Sequence, residues 1–93
     1  MAGPVADQAI PRLPRGTRFR FDETRGAWVL LGPERLLVPD ETAAEILKRC
    51  DGERSVGTII TELAAEFDAP EAEIGADVRA FIAGLREQGL IEA

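Results

Sequence analysis

Apolar and polar side chains alternate over residues 17–22, TRFRFD, placing Thr17, Phe19 and Phe21 on one side and Arg18, Arg20 and Asp22 on the other. That period of two predicts a half-buried strand. ETRG then supplies a turn, AWVLL (27–31) a second strand, GPE (32–34) a tight turn and RLLV (35–38) a third strand. Pro39 closes the third strand because its ring removes a ladder donor. Beyond it the period changes. Asp40 can cap a first helix whose apolar face is Ala43, Ile46, Leu47 and Cys50, with Glu41 at its positive end. Asp51-Gly52 interrupts that helix, and Ser55 caps a second one carrying Val56, Ile59, Ile60, Leu63 and Phe67 at helical spacing. DAP (68–70) is the next break, with Pro70 suited to the first position of a third helix that runs to about Gln88 and stops at Gly89.

The order is therefore three strands followed by three helices: an α+β, winged-helix-like fold in which a three-stranded antiparallel meander stands at the front. Residues 1–16 contain Pro4, Pro11 and Pro14, two glycines and no periodic pattern, and are expected to form a flexible N-terminal arm. Within it Pro11-Arg-Leu-Pro14 could lie extended against a neighbour. Residues 17–93 form the folded domain.

Helix, tight turn, helix is the grammar of a DNA-binding protein, but the charge argues otherwise. Residues 1–39 carry six arginines against four acids, a net of +2, whereas residues 40–93 carry five basic and thirteen acidic side chains, a net of −8. The third helix holds Glu71, Glu73, Asp77 and Glu87 against Arg79 and Arg86. A phosphate backbone would repel such a surface, so nucleic acid is not the expected partner. The chain has no histidine, no tyrosine and one cysteine, Cys50. That inventory lacks the common general base, nucleophile–base pairs and any thiolate cluster, so neither an enzyme nor a metal or cofactor site is expected. Cys50 ends an apolar stripe and is expected to pack as an inert small hydrophobe. No apolar run approaches the roughly 20 residues of a membrane span, and the first residues lack the apolar segment of a secretory signal, so a cytoplasmic protein away from membranes is expected.

The surfaces point to a peptide. Strands two and three are apolar on both faces, although a meander packed by one face on helices should be polar on the other. If the third strand is an edge beside the third helix, its unpaired backbone groups can receive an extended chain as a fourth strand. On a helical wheel Ile74, Val78, Phe81, Ile82 and Leu85 share one face, and Arg79 and Arg86 lie seven residues apart on its flank, a basic rim beside an apolar groove. An edge-paired homodimer would cover the same surface.

AWVLLGPERLLVPD (27–40), AAEIL (43–47), CDGERSV (50–56) followed by IITELAAEF (59–67), and DVRAFIAGLREQGLI (77–91) resemble the PqqD family, the peptide chaperones of pyrroloquinoline quinone biosynthesis. The resemblance spans about residues 11–91, with one departure: Gly32 stands where the family commonly has an aromatic before the hairpin proline. It implies a non-enzymatic protein that binds the ribosomal precursor peptide of the quinone. It also implies that the peptide is presented to a radical S-adenosylmethionine enzyme, which cross-links a glutamate and a tyrosine in it. The expected peptide-binding residues are Arg35, Leu36, Leu37 and Val38 on the strand, and Val78, Arg79, Ile82, Leu85 and Arg86 on the helix. The chain is expected as a monomer or weak homodimer. A winged-helix transcription regulator and a homodimeric structural module are the alternatives.

Overall fold

The alternation in residues 17–31 is realised as a hairpin. In the computed structural model, which describes residues 4–93, β1 (Arg18–Asp22) pairs antiparallel with β2 (Ala27–Leu31), and β2 pairs with β3 (Leu36–Leu37). The order β1-β2-β3 leaves both outer strands as edges. The Asp22 carboxylate accepts from the Thr24 and Arg25 amides at 3.0 and 3.3 Å, and Gly26 takes φ +66°, so the first turn uses an Asx contact and a left-handed glycine. Register puts Phe19, Phe21, Trp28, Leu30 and Leu37 on the face toward the helices, and Arg18, Arg20, Val29, Leu31 and Leu36 on the other. Val29 and Leu30, on opposite faces, are both buried, as an apolar second strand predicts. Phe19 stacks on Trp28 at 4.8 Å, Phe21 meets it edge-on at 5.9 Å, and the Lys48 ammonium sits 5.0 Å over the same ring.

The helices are α1 (Glu41–Lys48), α2 (Val56–Phe67) and α3 (Glu71–Glu87). Asp40 caps α1 through the Ala43 amide at 2.8 Å, and Ser55 caps α2 through the Thr58 amide at 3.2 Å. Pro70 is the residue just outside α3 rather than its first turn. Gly89, at φ +74°, ends α3 with paired bonds from the Gly89 amide to Arg86 and the Leu90 amide to Leu85, at 3.1 and 2.9 Å. The core joins Leu30 of the sheet to Ile46 and Leu47 of α1, Val56, Ile59, Ile60 and Leu63 of α2, and Val78, Ile82 and Leu85 of α3. Phe67, expected on the apolar face of α2, is exposed at its last turn. No helix among the described residues is long and apolar enough to cross a membrane.

The segment read as a flexible arm is instead docked, in its described part. Val5 and Pro11 are buried, and Ala9 and Leu13 pack on the core. Its main contacts are made by backbone, which is why no side-chain period announces them. The Ala9 and Asp7 carbonyls accept from the Val56 and Gly57 amides, both at 2.8 Å. Those are two of the donors that a helix start leaves without partners, and Ser55 satisfies the third. Further along, Arg12 and Glu92 exchange two backbone bonds of 2.9 Å, and the Pro11 carbonyl accepts from Gly52. Asp7 closes the segment onto α3 with two contacts to Arg79, of 2.7 and 3.0 Å.

Two outcomes follow from these contacts. Asp68 ends α2 at φ 51°, a left-handed conformation that disfavours a side chain, and its negative charge sits at the negative end of the helix. Asp68→Gly should therefore raise stability by about 0.5–1 kcal/mol, read as a higher urea midpoint at unchanged slope; a lower midpoint would show that the aspartate is favourable there. The hydrogen bond from Arg79 holds the Asp7 carboxyl below its ordinary value of 3.8. A depressed carboxylate contributes stability above its unfolded pKa and loses it as pH falls through the folded one, so docking should persist at neutral pH and weaken only in acid. Hydrogen exchange checks this: protection of the Val56 and Gly57 amides should drop below about pH 4 relative to Ile59, whose partner is the Ser55 carbonyl inside the helix.

Candidate peptide-binding site

The third strand exposes its backbone because of the hairpin's own geometry. The Gly32 amide donates to the Arg35 carbonyl at 2.9 Å, so Arg35 and, two residues on, Leu37 face β2. Leu36 and Val38 then direct their N–H and C=O groups to the open edge. Their side chains are 41% and 54% exposed, on the sheet face turned away from the helices. Leu37 points the other way and packs on the core.

A cleft runs beside this edge along α3. At one end Arg35 donates a hydrogen bond to the Gln88 side chain. At the other, a cavity of about 310 Å³ is lined by Asp40, Thr42, Ala43, Ile46, Asp77 and Phe81. The five residue steps from Arg35 to Asp40 and the eleven helical steps from Gln88 back to Asp77 each span roughly 16 Å. Strand and helix thus lie alongside one another over the same length, in opposite directions. The cavity floor is apolar, from Ile46 and Phe81, and its rim carries the carboxylates of Asp40 and Asp77.

The residues expected from sequence divide into three groups. Leu36 and Val38 lie on the exposed edge, Leu37 is turned inward between them, and Arg35, whose carbonyl faces β2, sends its side chain to Gln88. Val78, Ile82 and Leu85 are core residues, at most 4% exposed, and are covered by the protein itself. Arg79 faces the opposite flank of α3, where it binds Asp7; Arg86, seven residues on, shares that flank and is half-buried. Helix spacing explains the division, because Phe81 and Gln88 stand on one side of the buried stripe and the two arginines on the other. The cleft residues that sequence reasoning missed are therefore Asp77, Gln88 and the α1 residues Thr42, Ala43 and Ile46. Phe81, on the apolar face of the helical wheel, lines the cavity from the margin of that face.

Cys50 lies outside the cleft. Burial, with a smaller effect of Asp51, pushes its thiol up to about 12, and its Sγ donates to the Ile46 carbonyl at 3.3 Å. It is an unreactive packing residue.

Three strands, three helices and an open third strand beside the last helix define a winged-helix-like domain with a free sheet edge. The chain belongs to the PqqD family: the family model described as "Coenzyme PQQ synthesis protein D (PqqD)" matches residues 27–91. It is 53% identical over 87 residues to the PqqA binding protein of Rhodopseudomonas palustris (strain HaA2), covering 94% of this chain and 85% of the relative. The solution structure of the PqqD truncation of Methylobacterium extorquens PqqCD, described as a stand-alone recognition element for ribosomally synthesised and modified peptides, is similar with a TM-score of 0.81. The two are 42% identical over 96% of this chain and 95% of that one. The crystal structure of PqqD from Xanthomonas campestris is similar with a TM-score of 0.61 and 37% identity, over 96% and 99% of the two chains.

The division of α3 generates a test. Ile82→Ala should cost roughly 2–5 kcal/mol of folding stability, as expected for a fully buried side chain. Urea denaturation measures it; a cost under about 1 kcal/mol would mean that Ile82 belongs to the surface of the cleft.

Proposed function

We propose that this chain is a peptide chaperone of pyrroloquinoline quinone biosynthesis. It binds the precursor peptide PqqA by adding it as a strand to β3, and presents it in the cytoplasm to a radical S-adenosylmethionine enzyme. The observation that carries the reading is the open edge at Leu36 and Val38 beside a helix-lined cleft, in a chain 53% identical to a PqqA binding protein. The naming of a similar structure as a peptide recognition element supports it. The chain itself does no chemistry in this reading; it supplies position.

The physics is that of strand addition. A disordered peptide loses conformational entropy on ordering, and backbone hydrogen bonds to Leu36 and Val38 offset that loss. Peptide side chains on the Leu37 side enter the cleft toward Phe81 and Asp77; those on the other side pair with Leu36 and Val38. Arg35 and Gln88 close one end and Asp40 the other. Holding peptide and enzyme on one protein raises the effective concentration of each for the other.

The exposed apolar side chains of Leu36 and Val38 also favour a second use of the edge, weak pairing with another copy, so the free chain is a monomer or weak homodimer and the peptide competes with self-association.

A titration of isotopically labelled protein with synthetic PqqA peptide tests the function. Amide shifts should cluster on residues 36–38 and on Asp77, Phe81 and Gln88, with Arg79 little affected. Leu36→Pro removes a donor that faces the open edge and should weaken binding by about five- to tenfold while leaving the fold intact. Absence of shifts up to high micromolar peptide would sink the reading.

A further inference from the structure

The sheet has a second open edge, and its chemistry differs from that of β3. Because Leu30 and Leu37 face each other across β2 and β3, the alternate residues Val29 and Leu31 face β1, where their partners are Arg20 and Arg18. Phe19 and Phe21 therefore direct their N–H and C=O groups outward, along a strand of five residues against two for β3. No described residue pairs with this edge.

The side chains beside it are cationic on one face and aromatic on the other. Arg18 and Arg20 project from the face away from the helices and are exposed, and Arg15 is exposed just before the strand. Among the described residues the side chains of these three arginines make no hydrogen bond or ion pair. In contrast, Arg12, Arg25, Arg49, Arg54 and Arg79 each hold a carboxylate. The protein carries a net charge of −6, so three uncommitted cations at one edge are a local reversal of its field. On the other face Phe21 remains 45% exposed although it touches Trp28.

We infer that the β1 edge is a second docking site, which takes an extended acidic segment of a protein partner as an additional strand. Carboxylates at alternate positions of that segment meet Arg18 and Arg20, and apolar residues between them cover Phe21. Charge selects the occupant. A second copy pairing β1 to β1 would set arginine against arginine, which is unfavourable across strands. The site is independent of the β3 cleft, which lies across β2, so a peptide on β3 and a partner on β1 can be held together.

The probe is a capped nine-residue peptide alternating glutamate with valine and threonine, with its lysine-for-glutamate counterpart and inorganic polyphosphate as controls. Titrated into the labelled full chain, the acidic peptide should shift the backbone amides of Phe19 and Phe21, and the lysine peptide should not. The double variant Arg18→Glu, Arg20→Glu, checked for an unchanged melting temperature, should lose about tenfold or more in affinity for the acidic peptide and gain affinity for the lysine one. Shifts with both peptides alike, or none on residues 18–22 up to millimolar acidic peptide, would overturn the inference. So would a result in which polyphosphate and the acidic peptide move only the arginine side chains and leave the Phe19 and Phe21 amides unmoved.

Discussion

The burial of one stripe of α3 decides the rest of this structure. Val78, Ile82 and Leu85 are almost wholly enclosed between α2, α1 and the sheet, so the rotation of α3 about its axis is fixed by a close-packed core. Once that rotation is fixed, each flank of the helix has one possible neighbour. Arg79 is brought to the N-terminal segment, and Phe81, Asp77 and Gln88 are brought to α1 and to the third strand. The cleft is thus a consequence of core packing, and its residues are the ones that the core leaves over.

Charge is distributed by the same economy. In the helical half, cations are used locally: Arg49 reaches Glu45, Glu62 and Glu66, and Arg54 reaches Asp51 and Glu62, tying α1, the intervening turn and α2 into one network. The hydrogen bonds from Lys48 and Arg49 hold the Glu45 carboxyl below its ordinary range, and those from the Arg54 and Glu53 amides do the same for Asp51. Such partly exposed pairs contribute little individually. Their effect is to leave the remaining acids uncompensated, so the helical face is acidic while the sheet end stays basic. The helix-turn-helix supports the sheet through the shared core, and a surface charged in this way would repel a phosphate backbone.

Much of the fold was legible because side-chain pattern and structure share a period. The strands at 18–22 and 27–31, the caps at Asp40 and Ser55, and the stop at Gly89 all stand where alternation and capping chemistry place them. The third strand was overestimated at its ends, since Arg35 sits in the turn and Val38 leads into Pro39. The N-terminal segment was misread for a physical reason: carbonyls of Asp7 and Ala9 make its decisive contacts, and a carbonyl belongs to every residue type. The site was legible only in part. A helical wheel shows that Val78 and Ile82 share a face with Phe81 but not which neighbour covers them, and here the core takes the centre of that face and the cleft its margin.

The width of the cleft is set at its two ends, and both settings trace to chain reversals. At one end Gly89 turns the chain so that Leu90 folds back over the hairpin, where a Cβ on Gly32 would lie 2.6 Å from the Leu90 methyl. Leu90 fills the space that Gly32 leaves, and any side chain at this position would have to displace it. The Arg35–Gln88 bond adds a polar tie beside this contact. At the other end Pro39 stops the strand and Asp40 starts α1 within one residue, which anchors Val38 to the helical layer. Between these two fixed points Leu36 and Val38 keep an unpaired edge. On the proposed reading an incoming strand would meet a preformed surface, and only the peptide would have to order itself.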